Sequence, residues 1–156
     1  MKKNILAPLV FVLLITSCGN ERNGRAGTGV VEIRENMFIT QINAINLNPR
    51  DYIGRTIRLE GMFRHFQWDG NNMYFVIRTT PGCCEDFGEI GFRVTWKPDY
   101  QGFDDGSDGK TYPTRDDWVE AQGVLNYFER FGQPMLYIAL SELNVLERRG
   151  REFVTR

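Results

Sequence analysis

Histidine is almost absent. His65 is the only one in 156 residues. The sequence also contains no nucleophile elbow, no phosphate-cradling glycine loop and no H-E-x-x-H. No histidine-supported catalytic set can be assembled, so the chain is not expected to be an enzyme. Clustered basic charge is missing too: 19 Lys and Arg stand against 20 Asp and Glu. A nucleic-acid groove normally shows as a basic stripe, so nucleic acid is not an expected partner. An apolar run long enough to span a bilayer as a settled helix, about 20 residues, is also lacking.

The start of the chain carries an export signal. Met1-Lys2-Lys3-Asn4 is positive, Ile5 to Leu14 is apolar, and Ile15-Thr16-Ser17-Cys18 fits a bacterial lipobox. Cleavage before Cys18 would leave its sulfur to take a diacylglyceryl group, and acyl chains such as palmitate then anchor the protein. The expected division is a lipoprotein signal peptide over 1–17, a flexible polar tether over 18–29 and one domain over 30–156. Loss of Lys2 and Lys3 leaves 17 basic against 20 acidic side chains, a charge of about −3. The expected location is the cell envelope, on the extracytoplasmic side of a membrane, with the lipid bilayer as partner through Cys18. Gly19 after Cys18 stands where some two-membrane bacteria place an aspartate that retains lipoproteins in the inner membrane.

The domain reads as mainly β. Val30 to Asn46 fits neither a period of two nor one of 3.6, and its β-branched residues suggest extended chain. Asn48-Pro49-Arg50-Asp51-Tyr52-Ile53-Gly54 predicts one helical turn, with Asn48 as cap, Pro49 at the first position and Gly54 at the exit. Tyr52 and Ile53 should then plug the core. Thr56 to Phe66 alternates: Ile57, Leu59, Gly61 and Phe63 face one way. Gly61 suggests a bend. Trp68 to Asn72 is a hairpin turn, and Met73 to Thr79 returns. Glu89 to Lys97 is a third strand, Trp118 to Tyr127 a fourth and Pro134 to Leu140 a fifth, with Phe128 to Gln133 as a turn. Leu143 to Leu146 returns to the core, and the charged tail from Glu147 is expected to be mobile. Five short strands with a long link after the third suggest a small Greek-key barrel of the oligonucleotide/oligosaccharide-binding (OB) type, with a small open β-sandwich as the alternative.

The stretch Thr79-Thr80-Pro81-Gly82-Cys83-Cys84-Glu85-Asp86-Phe87-Gly88 holds adjacent cysteines in a turn-rich loop. Three readings compete. The pair could ligate a metal, with Glu85, Asp86 and Glu89 adding oxygens and His65 as a third ligand. Thiolate with carboxylate suits zinc better than calcium. The pair could instead form a strained vicinal disulfide or redox couple, since consecutive Cα atoms sit only about 3.8 Å apart. Or both could be small packed residues. Strand parity puts His65 opposite residues near Met73 to Phe75, several residues short of Cys83, and a solvent-facing hairpin histidine is its plainer reading. Asp104-Asp105-Gly106-Ser107-Asp108-Gly109 fails the calcium-loop spacing, with Gly106 at the third position and Arg115 at the twelfth. Phe66, Trp68, Tyr74 and Tyr127 read as packing residues rather than a stacking platform.

Taken in order, Tyr52-Ile53-Gly54-Arg55-Thr56-Ile57-x-Leu59-x-Gly61-Met62-Phe63, Phe75-Val76-Ile77-Arg78, Cys83-Cys84, Gly91 and Trp118-Val119-x-Ala121-x-Gly123 resemble an uncharacterised bacterial family. Its members are soluble OB-like subunits or domains that accompany a predicted multi-pass permease. The likeness covers about Asn48 to Leu146. The resemblance implies a membrane-associated accessory role and an integral-membrane permease as partner. This chain departs from the family where Glu85-Asp86-Phe87 follows the double cysteine, since the family often has an alanine-aspartate pair there. It departs again in carrying a lipobox where family members are often tethered by transmembrane helices.

Overall fold

The computed structural model describes residues 29–68, 70–82, 86–97 and 111–155, with Trp68 described by its backbone alone. Strand β1 (Val31–Ile33) is followed by a 3-10 turn and helix α1 (Phe38–Leu47), then a second 3-10 turn at Pro49–Asp51. Five longer strands follow: β2 (Thr56–Trp68), β3 (Asn71–Pro81), β4 (Phe87–Thr95), β5 (Trp118–Arg130) and β6 (Gln133–Val145). They pair in the order β2-β3-β4-β6-β5, and β5 pairs back onto β2. The result is a closed, mainly β barrel of five strands, which is the Greek-key OB-like architecture.

The alternation in β2 works as the sequence suggests. Ile57, Leu59 and Phe63 are buried in the core with Tyr74, Val76, Phe92, Val94, Val119, Ala121, Leu125 and Ile138. Gly61 marks a fork. β2 pairs β5 from Thr56 to Met62 but meets β3 only from Met62 onward. A side chain on Gly61 would strike the Ile77 carbonyl oxygen at 2.5 Å. Glycine therefore lets β2 bend against β3 and leave it.

Both ends of the described chain fill that fork. β1 runs parallel to Ile57–Leu59 on β2. The C-terminal tail lies along the other wall: the Thr79 N–H donates to the Glu152 carbonyl at 2.9 Å, and the Val154 N–H donates to the Thr79 carbonyl at 2.9 Å. Val154 is buried in the core. The tail expected to be mobile is thus docked as far as Val154, because Val154 has apolar surface to bury and Thr79 has backbone groups to satisfy.

The stretch from Val30 to Asn46 also corrects the sequence reading. Only Val31–Ile33 is extended, and α1 takes most of the rest. Phe38, Ile39, Ile42 and Ile45 are its buried residues. They follow helical spacing, while Thr40, Gln41, Asn43 and Asn46 face away. β-branched residues disfavour helix by only a few tenths of a kcal/mol each, and burial of this stripe outweighs that. The short turn at Pro49 forms as expected, and Gly54 exits at φ 82°. Asn48 makes no side-chain cap there. Tyr52 packs against the core, whereas Ile53 is only half-buried.

Candidate functional site

The β3–β4 hairpin ends at Pro81 paired with Phe87. Beyond that pair the Gly82 N–H donates to the Asp86 carbonyl at 2.8 Å. A side chain on Gly82 would meet that same oxygen at 2.6 Å, so the closure requires glycine. Cys83, Cys84 and Glu85 connect Gly82 to Asp86 and lie outside the described residues, as does Cys18. Asp86 is exposed, and Phe87 is 73% exposed. Phe153 from the docked tail meets Phe87 edge-on at 5.6 Å. A groove of about 700 Å³ runs beside them, lined by Arg64, Thr79, Gly88, Glu89 and Glu152 as well as the two rings. Arg64 holds Glu89 at 3.4 Å and also pairs with Asp116.

His65 is elsewhere. It pairs with Tyr74 at the opposite end of β3, seven residues from Pro81, which is about 23 Å of strand. Its Nε2 lies 2.9 Å from Asn72 Oδ1, and its ring stacks on Tyr74 at 5.0 Å. The described flanks of the cysteine loop and His65 are therefore not brought together. Among the described residues no three His, Cys, Asp or Glu side chains cluster closely enough to hold an ion. Of the other aromatics, Tyr74 is core, while Phe66 and Tyr127 are exposed. Phe66 packs edge-on against Phe75 at 5.9 Å.

A buried, multiply bonded polar group sits in the fork. Arg78 shares parity with Tyr74 and Val76, so its side chain is directed into the barrel, where it is only 1% exposed. Its guanidinium lies 4.7 Å from the Phe38 ring centre and 4.9 Å from that of Trp118. Nε donates to the Glu60 carbonyl at 2.9 Å; Nη1 donates to the Arg151 carbonyl at 3.0 Å and to Glu35 Oε2 at 3.2 Å. Glu35 also accepts from the Arg151 N–H at 2.9 Å. That backbone bond is the largest influence holding the Glu35 carboxyl below its ordinary pKa; Arg78 adds to it and desolvation opposes it. Burial pulls the Arg78 pKa down, against the opposing effect of Glu35. A cleft of about 870 Å³ opens beside this cluster, lined by Glu32, Arg34, Arg58, Glu120, Arg148 and Arg149 among others.

Sequence reasoning quoted Arg78 only within the Phe75–Arg78 motif and Phe87 only beside the cysteines, and gave no role to either, nor to Glu35 or Phe153. One signal was present for Arg78: a lone charge at an inward position of an apolar strand. Nothing in the sequence pairs Phe87 with Phe153, because their contact depends on where the tail docks.

A closed five-stranded barrel, its strand order Greek-key and its core joined by a single helix, defines the class: a small OB-like domain. The chain belongs to the DUF1980 C-terminal domain family, an uncharacterised family that it matches over residues 17–154. No curated protein matches it. Among solved structures it is similar to the N-terminal domain of PriB from Thermoanaerobacter tencongensis, described as dimeric. The identity is 13%, the match covers 60% of this chain and 97% of that one, and the TM-score is 0.31.

Proposed function

We propose that the protein is a lipid-anchored binding module of the cell envelope. In this reading the Cys83–Cys84 loop takes a borderline-soft divalent ion such as zinc, and the barrel serves as the accessory partner of an integral-membrane permease. The observation that supports it most directly is the closure between Gly82 and Asp86. It leaves a three-residue connection, two of them cysteine, at the end of a rigid strand pair. Asp86 beside it is exposed and offers a carboxylate, and thiolate with carboxylate suits zinc. The lipobox at Cys18 supplies the anchor, and more than one acyl chain gives stable membrane attachment.

Metal analysis and thiol titration of the purified protein test the ligand role. The expected result is about one zinc per chain, lost in the Cys83→Ser, Cys84→Ser double variant. Metal-free protein that behaves like the double variant would remove the ligand role. A mass lower by two hydrogen atoms would instead indicate a vicinal disulfide. Fractionation tests the anchor: Cys18→Ala should move the protein out of the membrane fraction, and an unchanged distribution would exclude lipidation as the tether.

A further inference from the structure

The outer edge of β4 is paired over only part of its length. Along β3–β4 the Gly82–Asp86 hydrogen bond sets the alternation. Gly88, Ile90 and Phe92 direct their backbone groups toward β3, while Phe87, Glu89, Gly91 and Arg93 direct theirs away. β6 takes up that outer edge only from Arg93 to Thr95. Among the described residues, nothing pairs with the outward N–H and C=O groups of Phe87, Glu89 and Gly91.

Continuation of β6 along this edge would place Pro134 opposite Ile90, by the register that pairs Tyr137 with Arg93. Proline has no N–H to offer there. The free edge carries no proline and no bulge, and its one charged side chain is Glu89. On its other side the same hairpin already accepts an added segment, since Thr79 of β3 pairs with Phe153 of the tail in a parallel bridge.

The surroundings say what would fit. Phe87 presents a 73% exposed ring on the same face as Glu89. Along the edge the exposed charges are the carboxylates of Asp86 and Glu89, the latter held by Arg64, while Arg93 at its far end is buried. A second copy of this acidic edge would set Glu89 against Glu89, which is unfavourable. We infer that the Phe87–Gly91 edge of β4 docks an extended segment of a partner protein, basic and apolar in alternation, by strand addition. Main-chain hydrogen bonds to Phe87, Glu89 and Gly91 supply the affinity. A side chain over Phe87 and a basic one near Glu89 supply the preference. The site belongs to the accessory-module reading but does not use the cysteines.

Amide chemical shifts of the full-length, detergent-solubilised protein give the test, with acetyl-Val-Lys-Val-Lys-Val-amide as probe and acetyl-Val-Glu-Val-Glu-Val-amide as control. The lysine peptide should shift the amides of Phe87, Glu89 and Gly91, and bind at least fivefold more tightly than the glutamate peptide. Glu89→Pro should abolish binding while the β3–β4 shifts persist, because the Glu89 N–H points away from β3. The Cys83→Ser, Cys84→Ser variant should bind as the unchanged protein does, so loss of the metal role leaves this result standing. Absence of shifts at millimolar peptide, equal binding of both peptides, or concentration-dependent shifts without peptide that reveal self-pairing would each overturn the proposal.

Discussion

Arg78 is one side chain joining four parts of the fold. Its guanidinium is flanked by the rings of Phe38 and Trp118 and bonded to β2, to the turn before α1 and to the tail. Arg78→Ala would leave the Glu60 and Arg151 carbonyls without their donor and open a void between two rings. The expected cost is about 3 kcal/mol, read as a lower urea midpoint. Arg78→Lys should recover little of it, because an ammonium cannot reproduce three donations from one planar fork. Glu35 gives the pH dependence. Its folded pKa lies below its ordinary value, so its stabilising contribution is full above the unfolded value of 4.5 and is lost as pH falls through the folded one. The urea midpoint of the unchanged protein should therefore fall more steeply below pH 5 than that of Glu35→Gln. Parallel curves would show that Glu35 does not hold the tail.

At the scale of elements, the β5–β6 hairpin offers a simple stabilisation. Phe131 and Gly132 both have positive φ, 53° and 72°, and Phe131 is 90% exposed. A two-residue turn of this kind favours Asn-Gly. Phe131→Asn should raise the melting temperature, by roughly 0.5–1 kcal/mol of stability. The tail predicts the opposite effect: Val154→Asp would bury a charge where Val154 now meets the core, and should cost about 2–4 kcal/mol. Limited proteolysis should then cut first between Glu147 and Glu152, whereas the unchanged tail should resist. These same elements show what the sequence could disclose. The strands of the barrel were legible because period-two alternation and turn residues are local signals. Helix α1 was not: isoleucine favours strand locally, and only packing on the barrel makes Phe38, Ile42 and Ile45 a helical stripe. The docked tail was hidden for the same reason. Its charges suggest solvent, and its fit depends on a fork created by Gly61 some ninety residues earlier. For the candidate site, the sequence located the turn at Pro81 and Gly82, and strand parity already set His65 opposite Met73 to Phe75, where the structure pairs it with Tyr74.

For the whole molecule, closure of β5 onto β2 makes every strand depend on its neighbours. Gly61 lies where β2, β3 and β5 meet, and a β-carbon there would strike backbone rather than a movable side chain. Gly61→Ala should therefore cost about 1–3 kcal/mol and, because one core runs through the barrel, lower the midpoint of a single cooperative transition instead of loosening one segment. A second, earlier transition in the far-ultraviolet circular dichroism would show the fork melting separately.

Because β1 and the tail share one fork, with Glu35 of the turn after β1 accepting from the Arg151 N–H of the tail, the chain could be relinked. A short linker from residue 155 back to residue 29, with new ends opened at Phe131–Gly132, would yield a circular permutant with the same ladder of strands. In the unpermuted molecule, a fluorescent protein fused beyond residue 155 would emerge on the same flank as residue 29. A bulky fusion there would crowd the fork around Arg78, whereas one inserted at Phe131–Gly132 would leave that flank clear.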